Sequence, residues 1–252
     1  MVRGLDIFKK SFVEYSDQYV LIGGVACSLA MAEAGIDFRA TSDLDIVLIV
    51  EAQTDDFVKA FWDFIKSGEY NHKQKSTNKP QFYRFHSPRN NNFPKMLELF
   101  SRKPDLLDLQ EETHLTPIPV DEALSSLSAI LIDDEYYDVV RRGMVTVDGL
   151  SFVKADHLIP LKIRAWLDLS ERRKTNEKID SKDIRKHRDD VFRLFQVIEL
   201  SESTTLLGTV KEDMLKGLDR LLNEEALDLK NLGIKNRSVL EVVEMLRTKY
   251  EL

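Results

Sequence analysis

The chain is poor in cysteine and in long apolar runs. Its 252 residues include one cysteine, Cys27, which excludes an intrachain disulfide and fits a reducing compartment. No apolar run approaches the ~18 residues that a membrane-spanning helix needs. The first residues, Met1 to Asp6, lack the apolar segment of a secretory signal peptide. We therefore expect a cytoplasmic protein that does not bind a membrane.

Positive charge is also scarce over the chain as a whole. The 36 Lys and Arg against 43 Asp and Glu leave a net charge of −7, which argues against non-specific coating of nucleic acid. Residues 162–188 are the exception, with ten Lys and Arg against five Asp and Glu. This local excess suits a phosphate backbone. A charge-rich stretch such as 171–190 is most often a solvated helix face or a loop.

Hydrophobic patterning divides the chain into a mixed half, residues 1–150, and a helical half, residues 151–252. The change in pattern falls somewhere between residues 120 and 155. We predict the α+β class, with a mixed sheet flanked by helices and followed by a helical domain.

Each predicted element follows from local periodicity and from turn or cap residues. The predicted strands are 19–22, 43–50, 81–86, 95–100 and strand-like pieces near 137–152. The predicted helices are 5–15, 25–34, 54–66, 155–170, 181–199, 208–223 and 236–250. The remaining long stretches, 68–80 and 100–125, are predicted to be loops.

Gly23-Gly24 ends the first predicted strand and opens a helix. Glycine lets the backbone approach a ligand closely, and the free N–H groups at a helix start attract phosphate. A lone Gly-Gly marks an ordinary turn in most proteins, so the pair carries weight only together with its neighbours.

Asp43 and Asp45 stand two positions apart at the start of an apolar strand, so both side chains leave the same face. Two carboxylates on one face repel each other unless a cation joins them. Oxygen-only ligands favour Mg²⁺ or Mn²⁺. The alternative is a solvated strand start, for which Asp-x-Asp is common.

Glu98 lies within the apolar strand Met96-Leu97-Glu98-Leu99-Phe100. It either faces solvent or joins Asp43 and Asp45 as a third metal ligand. A glycine turn that binds phosphate and three carboxylates on neighbouring strands are the groups that phosphoryl transfer with two metal ions needs.

Gly23-Gly24 followed by Arg39-x-Thr41-x-Asp43-Leu44-Asp45 resembles the opening motif of the polymerase-β-like nucleotidyltransferase superfamily. The likeness is greatest to the AbiEii-type group, the toxin half of some bacterial toxin–antitoxin systems. The gap of 43 − 24 = 19 positions fits this group. Residues 19–50 carry the likeness well and residues 154–195 moderately. The last fifty residues carry none of it.

The resemblance implies roles for particular residues. An NTP would bind with Mg²⁺ or Mn²⁺ on Asp43, Asp45 and Glu98. Its phosphates would lie against Gly23, Gly24 and Thr41 or Ser42, and Arg39 of the same motif would also contact the nucleotide. Glu98 would in addition help to activate the acceptor hydroxyl.

The resemblance also extends to the helical half, where Lys162 looks like a lysine that neutralises phosphate charge. Lys182 and Asp183 look like a later Lys-Asp pair, in which Asp183 would orient Lys162 or contact the nucleotide. Each has a simpler interpretation. A lysine in an apolar helix can extend its amine to solvent, and Asp180-Ser181-Lys182-Asp183 is an ordinary helix start, with Ser181 as N-cap.

Two classes of function remain open. The first is an enzyme that transfers NMP from an NTP to a hydroxyl, with tRNA or another RNA favoured as acceptor and an antitoxin as protein partner. A variant of it would modify a small molecule or a protein side chain, and the acidic net charge suits a small cationic acceptor. The second class is a catalytically silent nucleotide-binding regulator.

Overall fold

The computed structural model describes residues 2–72, 83–102, 115–117, 128–175, 178–224 and 227–252. The chain forms two compact units. The first comprises Met1–Ser28 and Arg39–Val153, and the second comprises Leu29–Phe38 and Lys154–Leu252. The division into domains at residues 150 and 151 stays a prediction.

The first unit contains the sheet and the helices that cover it. Its helices are α1 (Leu5–Phe12), the start of α2 (Gly23–Glu33), α3 (Asp55–Gly68) and α4 (Asp134–Arg142). Its strands are β1 (Tyr19–Ile22), β2 (Asp43–Leu48), β3 (Arg84–His86), β4 (Met96–Ser101), β5 (Leu115–Pro117), β6 (Ser128–Leu131), β7 (Met144–Val147) and β8 (Leu150–Val153).

The described strands form one mixed sheet in the order β5-β6-β4-β2-β1-β8-β7, and β3 pairs with β4. The centre is built on β2, which lies antiparallel to β1 and parallel to β4. In this register Asp45 is opposite both Ile22 and Glu98. The end of β1, the acidic end of β2 and the middle of β4 therefore meet at one place.

One face of the sheet is apolar and packs on α1 and α3. Its members are fully buried or nearly so: Tyr19, Leu21, Leu44, Ile46, Phe85, Leu97 and Leu99. Tyr19 lies edge-on to Phe8 of α1, with ring centroids 5.2 Å apart, and Phe85 lies 5.6 Å from Phe61 of α3. Since side chains alternate along a strand, this burial turns Asp43, Asp45 and Glu98 to the opposite face.

Local sequence signals account for α3. Thr54 is its N-cap, and the Thr54 hydroxyl accepts a hydrogen bond from the backbone N–H of Phe57. Asp55 and Asp56 stand in the first turn, where negative charge offsets the helix dipole. The predicted helix at 54–66 is confirmed, and it continues to Gly68.

The predicted strand-like pieces near 137–152 are wrong over their first part, which is helix α4. Asp133 caps this helix by accepting a hydrogen bond from the N–H of Glu135. Tyr136, Tyr137, Val139 and Val140 form its buried face. These residue types favour strands, but their spacing lets one side of a helix bury all four. The remaining part does form strands, β7 and β8.

The second unit is helical. Besides the end of α2 it contains α5 (Ala155–Thr175), α6 (Ser181–Phe195), α7 (Gly208–Leu222) and α8 (Val239–Tyr250). The predicted α+β class, a mixed sheet followed by helices, is confirmed. The N-cap of α6 is Asp180 rather than Ser181, because the Asp180 carboxylate accepts the N–H of Lys182. Predictions at 73–82, 103–114 and 118–127 lie outside the described residues.

A half-buried carboxylate joins α5 to α8 within the second unit. Asp156 Oδ1 lies 2.8 Å from His157 Nδ1, and Asp156 Oδ2 lies 3.6 Å from Lys249 Nζ and 3.8 Å from Lys154 Nζ. Burial alone would raise the pKa of Asp156, but the hydrogen bond from His157 and the three nearby cations lower it to about 2. This carboxylate is therefore charged over the whole range in which proteins are usually studied.

Of the helices in the described ranges, none is both long enough and apolar enough to cross a bilayer.

Candidate nucleotide and metal site

The glycine turn contacts the acidic strand directly. Gly23 begins α2 with φ +67°, a left-handed conformation that side chains rarely adopt. A Cβ on Gly23 would overlap Asp45 Oδ2 and lie 2.8 Å from Asp45 Cγ. Only glycine therefore satisfies both the backbone and the contact, and the Asp45 carboxylate lies at the positive end of α2.

Gly24 makes a second close approach, to Thr41. A Cβ on Gly24 would lie 2.6 Å from Thr41 Oγ1 and 3.2 Å from Thr41 Cβ. The Thr41 hydroxyl is thereby placed at the first turn of α2, where the backbone N–H groups have no partner within the helix. Together these N–H groups and the hydroxyl are the donors that phosphate oxygens prefer.

Asp43 and Asp45 are both partly exposed, whereas Leu44 between them is fully buried. The two carboxylates therefore leave the same face of β2, as predicted from their spacing. Ser42 Oγ donates a hydrogen bond to Asp43 Oδ1 over 3.2 Å. This bond limits the rotation of the Asp43 carboxylate.

Glu98 is the register partner of Asp45 and shares its face. Its side chain is 12% exposed and is held by Arg84 of β3. Arg84 Nε donates to Glu98 Oε1 over 2.7 Å, and Arg84 Nη2 donates to the same oxygen. The negative charge of Glu98 is therefore offset by a guanidinium on the next strand.

Arg84 is the residue of this site that the sequence interpretation missed. Its only signal was its place in the alternating run Gln81-Phe-Tyr-Arg-Phe-His86. The contact requires the antiparallel pairing of β3 with β4, which places Arg84 opposite Glu98. Nothing local in the sequence gives that register.

The donor set fits a hard divalent cation at Asp43 and Asp45, since both offer carboxylate oxygens on one face of β2. Glu98 fits less well, because Arg84 already occupies its Oε1 and offsets its charge. Over the part of the chain that the structure describes, no group of three His, Cys, Asp or Glu side chains is arranged to hold a metal ion. Metal binding by Asp43, Asp45 and Glu98 stays a prediction.

The predicted residues of the helical half have partners of their own. Lys162 is 3% exposed on α5, and its Nζ lies 3.3 Å from Oδ2 of Asp190, which is fully buried on α6. Lys182 and Asp183 are exposed in the first turn of α6, where Asp183 Oδ1 accepts from Lys186 Nζ over 2.9 Å. Their parts in nucleotide binding stay predictions, as does that of Arg39, which is partly buried before β2.

No protein-family model and no curated protein matches the chain. Several solved structures are similar to it. A nucleotidyltransferase-like antigenic protein from Paracoccidioides brasiliensis has 12% identity and a TM-score of 0.45, with 99% of this chain and 96% of that one covered.

Two further structures are more distant. The Megavirus polyadenylate synthase has 10% identity and a TM-score of 0.39. The match covers 87% of this chain and 36% of that one. JHP933 from Helicobacter pylori has 14% identity and a TM-score of 0.34. The match covers 98% of this chain and 89% of that one. Identities and TM-scores this low do not assign an activity or a ligand to this chain.

Proposed function

We propose that the chain is a metal-dependent nucleotidyltransferase, in which an acceptor hydroxyl attacks the α-phosphorus of an NTP and pyrophosphate leaves. One observation carries the proposal: the Asp45 carboxylate packs against Gly23 at the N-terminus of α2. This contact supports the proposal because it would place a phosphate-binding helix start beside a metal-ligating carboxylate, the arrangement that phosphoryl transfer uses.

The glycine turn and its neighbours would hold the triphosphate. The first N–H groups of α2 would bind phosphate oxygens, and the Thr41 hydroxyl beside Gly24 would donate another hydrogen bond. Ser42 would keep the Asp43 carboxylate oriented through the bond it donates. Because these groups are positioned in advance, little reorganisation would be needed when negative charge develops on the phosphate oxygens.

Asp43 and Asp45 would hold Mg²⁺ or Mn²⁺. The bound cation would lower the pKa of the attacking hydroxyl and neutralise triphosphate charge. Glu98 would accept the proton of the acceptor hydroxyl, provided that this hydroxyl replaces Arg84 on its oxygens. Arg84, 43% exposed in its side chain, is placed to move away when the acceptor arrives.

The finer proposal is that the acceptor is tRNA or another RNA and that the chain is the toxin half of a toxin–antitoxin pair. It rests on the resemblance of residues 19–50 and 154–195 and on the basic stretch 162–188. Transfer to a small molecule or a protein side chain uses the same site and differs only in the acceptor.

The Arg84–Glu98 ion pair favours a second candidate, a nucleotide-binding regulator without transfer activity. If Arg84 never releases Glu98, no base is available for the acceptor hydroxyl. The chain would then bind NTP with a divalent cation through Asp43 and Asp45 but transfer nothing.

Thermal unfolding with and without Mg²⁺ and each NTP tests the shared claim. A ligand at one hundred times its Kd stabilises the folded state by about 2.7 kcal/mol, so we expect a clear rise in Tm. Asp43→Asn and Asp45→Asn should lose the rise, and Asp37→Asn, at an exposed carboxylate outside the site, should keep it. A wild-type chain that behaves like Asp45→Asn with every NTP would refute both candidates.

A further inference from the structure

A cavity of about 500 Å³ lies among α5, α6 and α7 of the second unit. This size is typical of a small-ligand pocket. Among its described lining side chains, five are cations, namely Arg173, Lys174, Arg185, Arg188 and Arg220, and one is an acid, Glu224. With Asp189 and Glu171, which pair with Arg188 and Lys174, the described cations still exceed the acids by 5 − 3 = 2 in a chain whose net charge is −7.

Two of the five cations are fixed in place. Arg188 is 7% exposed, and its guanidinium reaches Asp189 over 2.8 Å and Glu224 over 3.1 Å. Arg220 lies over the ring of the buried Trp166, 4.6 Å from the ring centroid, and donates to Glu224 over 3.4 Å. Their positions are therefore set before any ligand arrives, which reduces the entropy lost on binding.

Two other cations have no such support. Arg173 and Arg185 are exposed, and over the described ranges neither has a carboxylate within ion-pair distance. Lys174, the fifth cation, forms an ion pair with Glu171, with Nζ 2.8 Å from Oε1. Cations gathered on one wall repel one another, and an anion between them removes that cost.

The start of α6 adds to the positive potential. Ser181, its first residue, lines the same cavity, so the positive end of the helix dipole lies beside it. Asp180, which caps this helix, offsets part of that field. The excess of cations over acids among the described side chains remains the main source of charge.

We infer that this cavity, named here the arginine pocket (Arg173, Lys174, Arg185, Arg188 and Arg220), binds a ligand that carries several phosphate groups. Guanidinium groups pair with phosphate oxygens through two parallel hydrogen bonds. A single carboxylate would match only one of the two exposed cations that lack an ion pair within the described residues, Arg173 and Arg185, whereas a polyphosphate or a run of backbone phosphates matches both. The described lining of the pocket belongs to the second unit, whereas Asp43 and Asp45 belong to the first.

Calorimetric titration of sodium tripolyphosphate into the full chain tests the inference. EDTA is present throughout, so that metal-dependent binding at Asp43 and Asp45 makes no contribution. The test variant is Arg173→Gln/Arg185→Gln. The matched control is Arg172→Gln/Lys186→Gln, which removes two cations from the same two helices, each already paired with its own carboxylate, Asp168 or Asp183.

We expect saturable binding that the test variant weakens at least about tenfold, equivalent to ~1.4 kcal/mol. The control should stay within about twofold of wild type, since exposed ion pairs contribute little. No saturable binding, or an equal loss in both double variants, would overturn the inference. Asp43→Asn/Asp45→Asn should bind tripolyphosphate normally in EDTA, so failure here is distinguishable from failure of the proposed activity.

A competition identifies the source of the phosphates. A single-stranded oligouridylate is titrated against bound tripolyphosphate at equal phosphate concentration. Displacement by the oligonucleotide, lost in Arg173→Gln/Arg185→Gln, indicates a nucleic-acid strand as the natural ligand. Retention of tripolyphosphate indicates a free polyphosphate compound. Displacement that persists in the test variant would mean that the strand binds elsewhere and would contradict the inference for nucleic acid.

Discussion

Replacing Gly23 with alanine separates the two reasons why glycine stands at this turn. The first reason is the backbone, since a left-handed φ costs an L-residue about 1–2 kcal/mol. The second is the contact with Asp45. The added Cβ would lie 2.8 Å from Asp45 Cγ, and ordinary contact begins at 3.4 Å, so the carboxylate must move by at least 0.6 Å.

Gly35 provides the matched control. Its φ is +69°, close to the +67° of Gly23, but a Cβ there would meet nothing within 4 Å. Gly35→Ala should therefore lose only the backbone term, about 1–2 kcal/mol. Gly23→Ala should lose a further ~1–3 kcal/mol, the usual cost of overpacking a closely packed site.

Urea denaturation of both variants measures these free energies of unfolding, and thermal shift with Mg²⁺ and NTP measures the functional effect. We expect Gly23→Ala to lose the nucleotide-dependent rise in Tm and Gly35→Ala to retain it. Equal losses of stability in the two variants, or normal nucleotide binding by Gly23→Ala, would refute the inferred contact between the glycine turn and Asp45.

Three further predictions concern ionic groups. Arg84→Gln should lower the free energy of unfolding by about 1 kcal/mol, because Glu98 loses the guanidinium that pairs with it, and 1 M salt should shrink the difference in urea melts. Lys162→Met should cost less in the same melts than the ~3–5 kcal/mol of a fully broken buried ion pair, because the buried Asp190 keeps Arg193 as a partner over 3.3 Å. Asp156 has its pKa lowered from 3.8 to about 2, so its stabilising effect, about 1–2 kcal/mol after solvent screening, is complete above pH 3.8 and lost as pH falls toward 2. Asp156→Asn should flatten that part of the pH–stability curve, and an unchanged slope would contradict the assignment.

The elements that sequence reasoning predicted correctly are those governed by local signals. The compact apolar run Tyr19 to Ile22 forms β1. Thr54 caps α3, since its hydroxyl accepts a hydrogen bond from a backbone N–H of the first turn. The common face of Asp43 and Asp45 follows from strand alternation alone. Predictions of this kind need no knowledge of which elements are neighbours.

The features that sequence reasoning missed depend on partners distant in the chain. The ion pair of Glu98 with Arg84 follows from the pairing of β3 with β4. The arginine pocket joins Arg173, Arg185 and Arg220, which stand on three different helices. Helix α4 was mistaken for a strand because the strand preference of Tyr and Val outweighed the cap at Asp133.

The most direct test of the central claim is transfer of label from an α-phosphate-labelled NTP. The chain is incubated with Mg²⁺, each labelled NTP in turn and total RNA, and the products are separated on a denaturing gel. We expect labelled product with wild type and Asp37→Asn, and at least about a hundredfold less with EDTA or Asp45→Asn. Labelled product that forms equally well with Asp43→Asn/Asp45→Asn would contradict the claim that these two carboxylates carry the reaction.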